Sequence, residues 1–182
     1  MRYNPNVHNR HSIRLRSHDY ARTGAYFVTI CLNERIVKCK TATNFDFPIF
    51  GTVENNVMIL NDCGKMVEKY ILEIKNNVDK FSNIEIGEYV IMPDHIHTII
   101  EFNRTINHNY LPPVAIELGT VIQWFKTMTT NEYTNNVKKL GWQPFYKKLW
   151  QRNYHERIIR NETEYARIAE YIRNNPISWK KK

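Results

Sequence analysis

The chain has 182 residues, 42% of them hydrophobic and 24% charged, which suits one domain with a buried core and excludes wholesale disorder. No apolar run approaches the roughly 18 residues of a membrane span, the start MRYNPNVHNRHSIRLR lacks the apolar centre of a signal peptide, and six isolated Gly form no phosphate-binding loop. The net charge of +8 is uneven: residues 1–24 hold five Arg against Asp19, residues 25–137 nine basic against thirteen acidic side chains, and residues 138–182 twelve basic against four acidic. Basic ends around an acidic middle point to a polyanion, most often nucleic acid, although solvated tails carry such charge too.

Residues 1–23 are polar, basic and aperiodic, and read as an arm ahead of a core spanning 24–179 within one domain. Ala25–Leu32, β-branched and aromatic between Gly24 and Asn33, is a predicted strand. Phe45–Thr52 and Val57–Leu60 flank Glu54-Asn55-Asn56 as a hairpin. Asn61 or Asp62 caps a helix to about Asn77, with Met66, Val67, Tyr70, Ile71 and Ile74 at helical spacing. Ile84–Met92 and Ile96–Phe102 are strands interrupted by Pro93-Asp94, and 103–115 is a surface loop. Leu118, Val121, Ile122, Phe125 and Met128 mark a second helix, followed by a polar, irregular stretch over 131–148. Leu149–Ile159 is a further strand. Asn161 and Glu164 form a capping-box pattern for a last helix, whose stripe is Tyr165, Ile168, Ala169 and Ile172 and which Pro176 stops. Neighbouring strands with few helices predict an α+β fold: an antiparallel sheet with helices packed on one face, most simply ferredoxin-like.

Cys31, Cys39 and Cys63 are an odd number without CxxC spacing, so neither a disulfide framework nor a zinc ribbon is indicated, and a reducing cytoplasmic setting fits. Three segments carry chemistry. His95 and His97 in VIMPDHIHTIIEF project from one face of a strand, where two imidazoles can share a divalent cation. The pair equally suits two surface or hydrogen-bonded histidines. Tyr171 and Asn175 lie four apart at the edge of the last helix's stripe, where a tyrosine keeps its hydroxyl partly exposed or simply snorkels. Basic and aromatic residues interleave at both ends: Arg10, Arg14, Arg16 and Tyr20, then Trp142, Tyr146, Lys147, Lys148, Trp150, Arg152, Tyr154, Arg157 and Arg160. Such runs suit single-stranded nucleic acid or a solvated strand over core aromatics.

Taken together, HSIRLRSHDY, GAYFVTICLNER, FGTVENNVMILNDCGKMV, VIMPDHIHTII, LGTVIQWFKTMTT and WQRNYHERIIRNETEYARIAEYIRNNP resemble the REP-associated tyrosine transposases, single-tyrosine members of the HUH (His-hydrophobic-His) transposases of insertion sequences. The likeness runs in order from about His11 to Trp179. It implies a ferredoxin-like fold with His95 and His97 on a central strand, binding Mg²⁺ or Mn²⁺ with Asn175 as third ligand. It implies Tyr171 as a nucleophile on single-stranded or hairpin DNA, giving a 5′-phosphotyrosine and a free 3′-OH without ATP. Arg167 or Arg173 would help to activate that tyrosine. DNA contacts are expected from Arg10, Arg14, Arg16, Arg152, Arg157 and Arg160. The family often has Asn before the first histidine, whereas this chain has Asp94, which can orient a histidine from behind. The resemblance further implies a cytoplasmic, nucleoid-associated prokaryotic protein, monomer or homodimer. The alternative is a catalytically silent relative that binds structured DNA or RNA.

Overall fold

Side-chain alternation along β1 (Gly24–Cys31) sets the architecture: Tyr26, Val28 and Ile30 are buried on one face while Ala25, Phe27 and Thr29 are half-buried on the other. The structure, a computed structural model, describes residues 23–33, 49–77, 80–81, 83–103, 116–145 and 147–179. A hairpin of β2 (Gly51–Glu54) and β3 (Val57–Leu60) follows β1 as a separate two-stranded sheet. Its turn places Asn55 and Asn56 at φ 50° and 64°, the left-handed pair that a tight hairpin needs and that Asn tolerates. Next come α1 (Asp62–Asn76), β4 (Ile84–Ile91), β5 (His95–Phe102), α2 (Leu118–Leu140), β6 (His155–Ile159), α3 (Glu162–Arg173) and the single turn α4 (Asn175–Ser178).

The main sheet is antiparallel in the order β4-β5-β1-β6. With α1 and α2 as crossovers, this is the expected α+β, ferredoxin-like arrangement. Met66, Val67, Tyr70, Ile71 and Ile74 of α1 and Val121, Ile122 and Phe125 of α2 close one core over Tyr26, Val28, Ile30, Ile96 and Ile100. Asn61 caps α1 as expected, accepting from the Gly64 N–H at 2.9 Å while its amide donates to Ile49 O at 2.8 Å.

Four expectations are corrected. The helices do not all share one face: α3 lies on the opposite side, where Ile168, Ala169 and Ile172 bury Ile99 and Ile159 in a smaller second core. Phe27 and Ile99 leave that face too apolar to meet water uncovered. The polar stretch expected from 131 is helical to Leu140, because Tyr133 is buried and Glu132 accepts from Lys69 Nζ and Tyr70 Oη of α1, both at 2.6 Å. Gly141 at φ 70° then ends α2. The strand expected over Leu149–Ile159 shortens to β6. Trp150 makes an isolated bridge to Leu32, while the carbonyls of Gln151 and Asn153 turn to the Lys126 ammonium, at 2.9 and 3.0 Å, instead of a partner strand. Pro176 does not end the helical path. After Asn174 caps α3, it sits in the first turn of α4, where a missing N–H is no loss. The expected strand start at Phe45, the body of the 103–115 loop and the arm fall outside the described residues, apart from Thr23 and Asn103.

Candidate active site

Because Ile96, Ile100 and Phe102 of β5 join the main core and Ile99 joins the second, His95 and His97, in phase with Ile99, face α3. Their Nε2 atoms lie 3.1 Å apart. Each ring is held from behind through Nδ1. His95 Nδ1 lies 2.6 Å from Asp94 Oδ1, and since a carboxylate only accepts, Nδ1 is the donor in that bond. His97 Nδ1 lies 2.8 Å from Thr29 Oγ1, on the strand position directly opposite in β1. The hydroxyl can accept from Nδ1–H or donate to a bare Nδ1, so it serves either tautomer. His97 is only 7% exposed. Burial, followed by the neighbouring His95, pushes its pKa down to about 3, against a smaller opposing pull from Asp94. It is therefore a neutral imidazole at ordinary pH, the form that ligates metals.

Helix α3 brings the tyrosine. Ile172 is fully buried, and Tyr171 beside it is 48% exposed. The Tyr171 ring lies 5.5 Å from that of His97 and stands edge-on to Phe27 at 6.0 Å. Two other tyrosines in this part of the chain, Tyr165 and Tyr154, are engaged elsewhere. Tyr165 donates to Glu101 Oε1 at 2.7 Å, and burial together with that bond pushes its pKa up to about 12. Tyr154 is buried in the main core with Lys126 over its ring at 5.8 Å. Past the Asn174 cap, Asn175 opens α4 and is 7% exposed. Trp179, just beyond α4, approaches the His95 ring at 6.0 Å. The Asn175 turn is thus bracketed by Tyr171 against one histidine and Trp179 against the other.

The spacing of the two imidazoles suits one shared divalent ion. Two ligand atoms at about 2.1 Å in adjacent octahedral positions are separated by roughly 3.0 Å, close to the spacing of the histidine pair. Among the described residues no group of three or more His, Cys, Asp and Glu side chains forms a metal site. The third protein donor would be an amide, for which Asn175 is placed on the bracketed turn.

The expected basic contacts do not gather here. Arg157 Nη2 pairs with Glu164 Oε1 at 2.6 Å, and the Arg160 N–H donates to Glu164 Oε2 at 3.0 Å, bonds that hold the start of α3. Arg173 Nη1 pairs with Glu88 at 3.0 Å. Arg152 is exposed near α2. Arg10, Arg14 and Arg16 lie outside the described residues. Thr29, Phe27 and Trp179 are site residues that the sequence motifs did not single out. The alternation of β1 signalled the first two, since both share the less buried face of a strand next to the HIH strand.

The sequence profile of the family described as Transposase IS200 like matches residues 55–175. A protein of Haemophilus influenzae (strain Rd), described as an uncharacterized protein, is 34% identical over 98% of this chain and 94% of its own length. A solved structure described as a REP-associated tyrosine transposase bound to a REP hairpin superposes with a TM-score of 0.54 at 19% identity, covering 91% of this chain and 73% of the other. That likeness is one of fold.

Proposed function

The chain belongs to the IS200-like transposase family, and from that premise we propose that it is a single-stranded DNA endonuclease and strand transferase of the REP-associated type, with Tyr171 as nucleophile. The observation that carries the proposal is the half-exposed Tyr171 ring against His97, on the one sheet face that bears both histidines.

In the proposed reaction the Tyr171 oxygen attacks a backbone phosphorus of a strand laid across this face. The Tyr O–P bond forms and the P–O3′ bond breaks, leaving a 5′-phosphotyrosine. The departing oxygen takes up a proton as a free 3′-OH, and the phenol proton is lost to solvent. A second 3′-OH reverses the step on another end, so one phosphodiester is exchanged for another and no nucleotide is consumed. His95, His97 and Asn175 would hold Mg²⁺ or Mn²⁺, which supplies Lewis-acid polarisation of the scissile phosphate when bound. Asp94 and Thr29 keep the two imidazoles aimed at the same point. Phe27 supports the Tyr171 ring from the side and limits its rotamers. The substrate would be DNA with a hairpin beside the cut, and no described helix is long and apolar enough to cross a membrane.

The test is to incubate the protein with a labelled hairpin oligonucleotide and Mn²⁺ and to look for a denaturation-resistant adduct. Wild type forms it and Tyr171→Phe does not. An adduct that persists in Tyr171→Phe refutes the assignment, and tight hairpin binding without an adduct in wild type replaces catalysis with binding alone.

A further inference from the structure

Among the described residues, Trp179 is the one tryptophan outside both hydrophobic cores. Trp150 is buried against Phe50 and Phe125, Trp124 stands edge-on to Tyr70 and Phe81, and Trp142 stands edge-on to Tyr133. Trp179 instead meets the His95 ring, at 6.0 Å and 42°, and stays partly exposed. Its backbone is nonetheless fixed. Pro176 is buried, and the Trp179 N–H donates to Pro176 O at 3.3 Å, so the indole is carried on the anchored end of α4. A large aromatic face held beside a polar site, and used by no core, suits a planar ligand that covers it.

The rings around the site form a chain of contacts. Tyr171 approaches His97 at 5.5 Å, the His97 ring lies 4.6 Å from that of His95, and Trp179 approaches His95. Tyr171 and Trp179 thus stand at opposite ends of the chain. Phosphoryl transfer places the attacking and leaving oxygens roughly in line, on opposite sides of phosphorus. With the Tyr171 oxygen attacking from the His97 end, the leaving 3′ oxygen departs toward the His95 end, where the indole is.

We propose that Trp179 is a stacking platform for the base of the nucleotide that carries the leaving 3′ oxygen, and that it retains the cleaved 3′-OH strand for rejoining. The proposal rests on the reading of Tyr171 as nucleophile and adds which side of the cut is gripped, and by what. An indole stacks on the face of any base, so the platform holds a strand without selecting its sequence. Its use falls between the two steps. After cleavage one strand end is tied to Tyr171, while the other is held by no covalent bond. A base stacked on Trp179 keeps its 3′-OH beside the phosphotyrosine. That hydroxyl attacks phosphorus, the P–O3′ bond forms, the bond from phosphorus to the Tyr171 oxygen breaks, and the hydroxyl proton passes to the released phenolate.

The experiment uses the full chain as wild type, Trp179→Ala and Trp179→Phe. The probe is a hairpin oligonucleotide whose unpaired tail carries 2-aminopurine at one position at a time, with fluorescence and affinity read without metal. In wild type one tail position should be quenched on binding. Trp179→Ala should relieve that quench and weaken binding by about fivefold or more, the scale of one lost stacking contact, while Trp179→Phe keeps an aromatic face and most of the affinity. With Mn²⁺ added, the quenched position should be the nucleotide left with the new 3′-OH, and Trp179→Ala should accumulate adduct and release the 3′-OH fragment with less resealing. The absence of any quench that depends on residue 179 overturns the proposal, and so does such a quench on the phosphotyrosine side of the cut. A Trp179→Ala variant that loses Mn²⁺ affinity with its quench pattern unchanged also overturns it, making the indole a support for His95. The two readings fail separately. A quench that depends on residue 179, with no adduct in wild type, sinks the activity and keeps the stacking platform. An adduct in wild type with no such quench does the reverse.

Discussion

Replacing Thr29 with valine keeps the β-branched outline that suits β1 and removes only the hydroxyl 2.8 Å from His97 Nδ1. In wild type that hydroxyl lets the ring carry its proton on Nδ1 and point a bare Nε2 at the position shared with His95. Without it, the buried N–H has no acceptor in valine. The ring then keeps its proton on Nε2, in the hydrogen bond to His95 Nε2 at 3.1 Å. Recovering the ligating tautomer requires breaking that bond and leaving Nδ1–H unsatisfied, a penalty of about 1–3 kcal/mol for a buried polar group. That corresponds to a roughly 5- to 150-fold loss of metal affinity, in line with the 10–100-fold typical of residues that support a ligating histidine. The assay is Mn²⁺ titration by calorimetry on wild type, Thr29→Val and Thr29→Ser. The valine variant should bind at least about tenfold more weakly, with a melting temperature close to wild type. Serine, which restores the oxygen, should recover most of the affinity. Equal Mn²⁺ affinity in wild type and Thr29→Val would show that His97 is not oriented through Thr29.

Further outcomes follow from the same geometry. His97 has a folded pKa of about 3, below the ordinary 6.5 of the unfolded chain, so the unfolded state binds the extra proton between those values. Its contribution is intact above pH 6.5 and is lost as pH falls toward 3, by about 1.4 kcal/mol per pH unit. Urea unfolding of metal-free protein at pH 7, 5.5 and 4.5 should show a steeper acid loss in wild type than in His97→Gln, and parallel curves would contradict the neutral buried imidazole. Asn61→Ala removes the cap on α1 and the bond to Ile49 O, and should lower unfolding free energy by about 1–2 kcal/mol in urea titration. Thr129→Val leaves the buried Trp150 indole N–H without its acceptor and should destabilise by about 1–3 kcal/mol, with a shifted tryptophan emission. Gly51→Ala would place a Cβ 2.0 Å from Ile59 O at φ 135°, so the β2–β3 hairpin must distort, visible as faster amide exchange at Val57–Leu60.

Local rules made much of this molecule legible in its sequence. Alternation set the two central strands. Asn61 and Asn161 marked helix starts, and the HIH spacing put two imidazoles on one face of a central strand. Long-range partners account for what was missed. Residues 131–140 look irregular because their helix is held by Glu132 reaching Lys69 and Tyr70, more than sixty positions away. Leu149–Tyr154 has strand-like composition, but past the single Trp150–Leu32 bridge Lys126 takes the Gln151 and Asn153 carbonyls. Thr29 carries no motif, and only its register opposite His97 gives it a role. The second face of the sheet was hidden for the same reason: Phe27 and Ile99 sit between inward-facing neighbours, so their pattern does not say that another layer will cover them.

The two-sided sheet divides labour within the chain. One face joins α1, α2 and the larger hydrophobic cluster, and holds the fold together. The other is half closed by Ile168, Ala169 and Ile172 and half given to His95, His97 and Tyr171. Substitutions along the solvent side of α3 and α4 can therefore drift, altering the angle at which the phenol meets the imidazoles, while the larger core goes on folding as before. A chain built this way can lose or retune its chemistry without losing its shape.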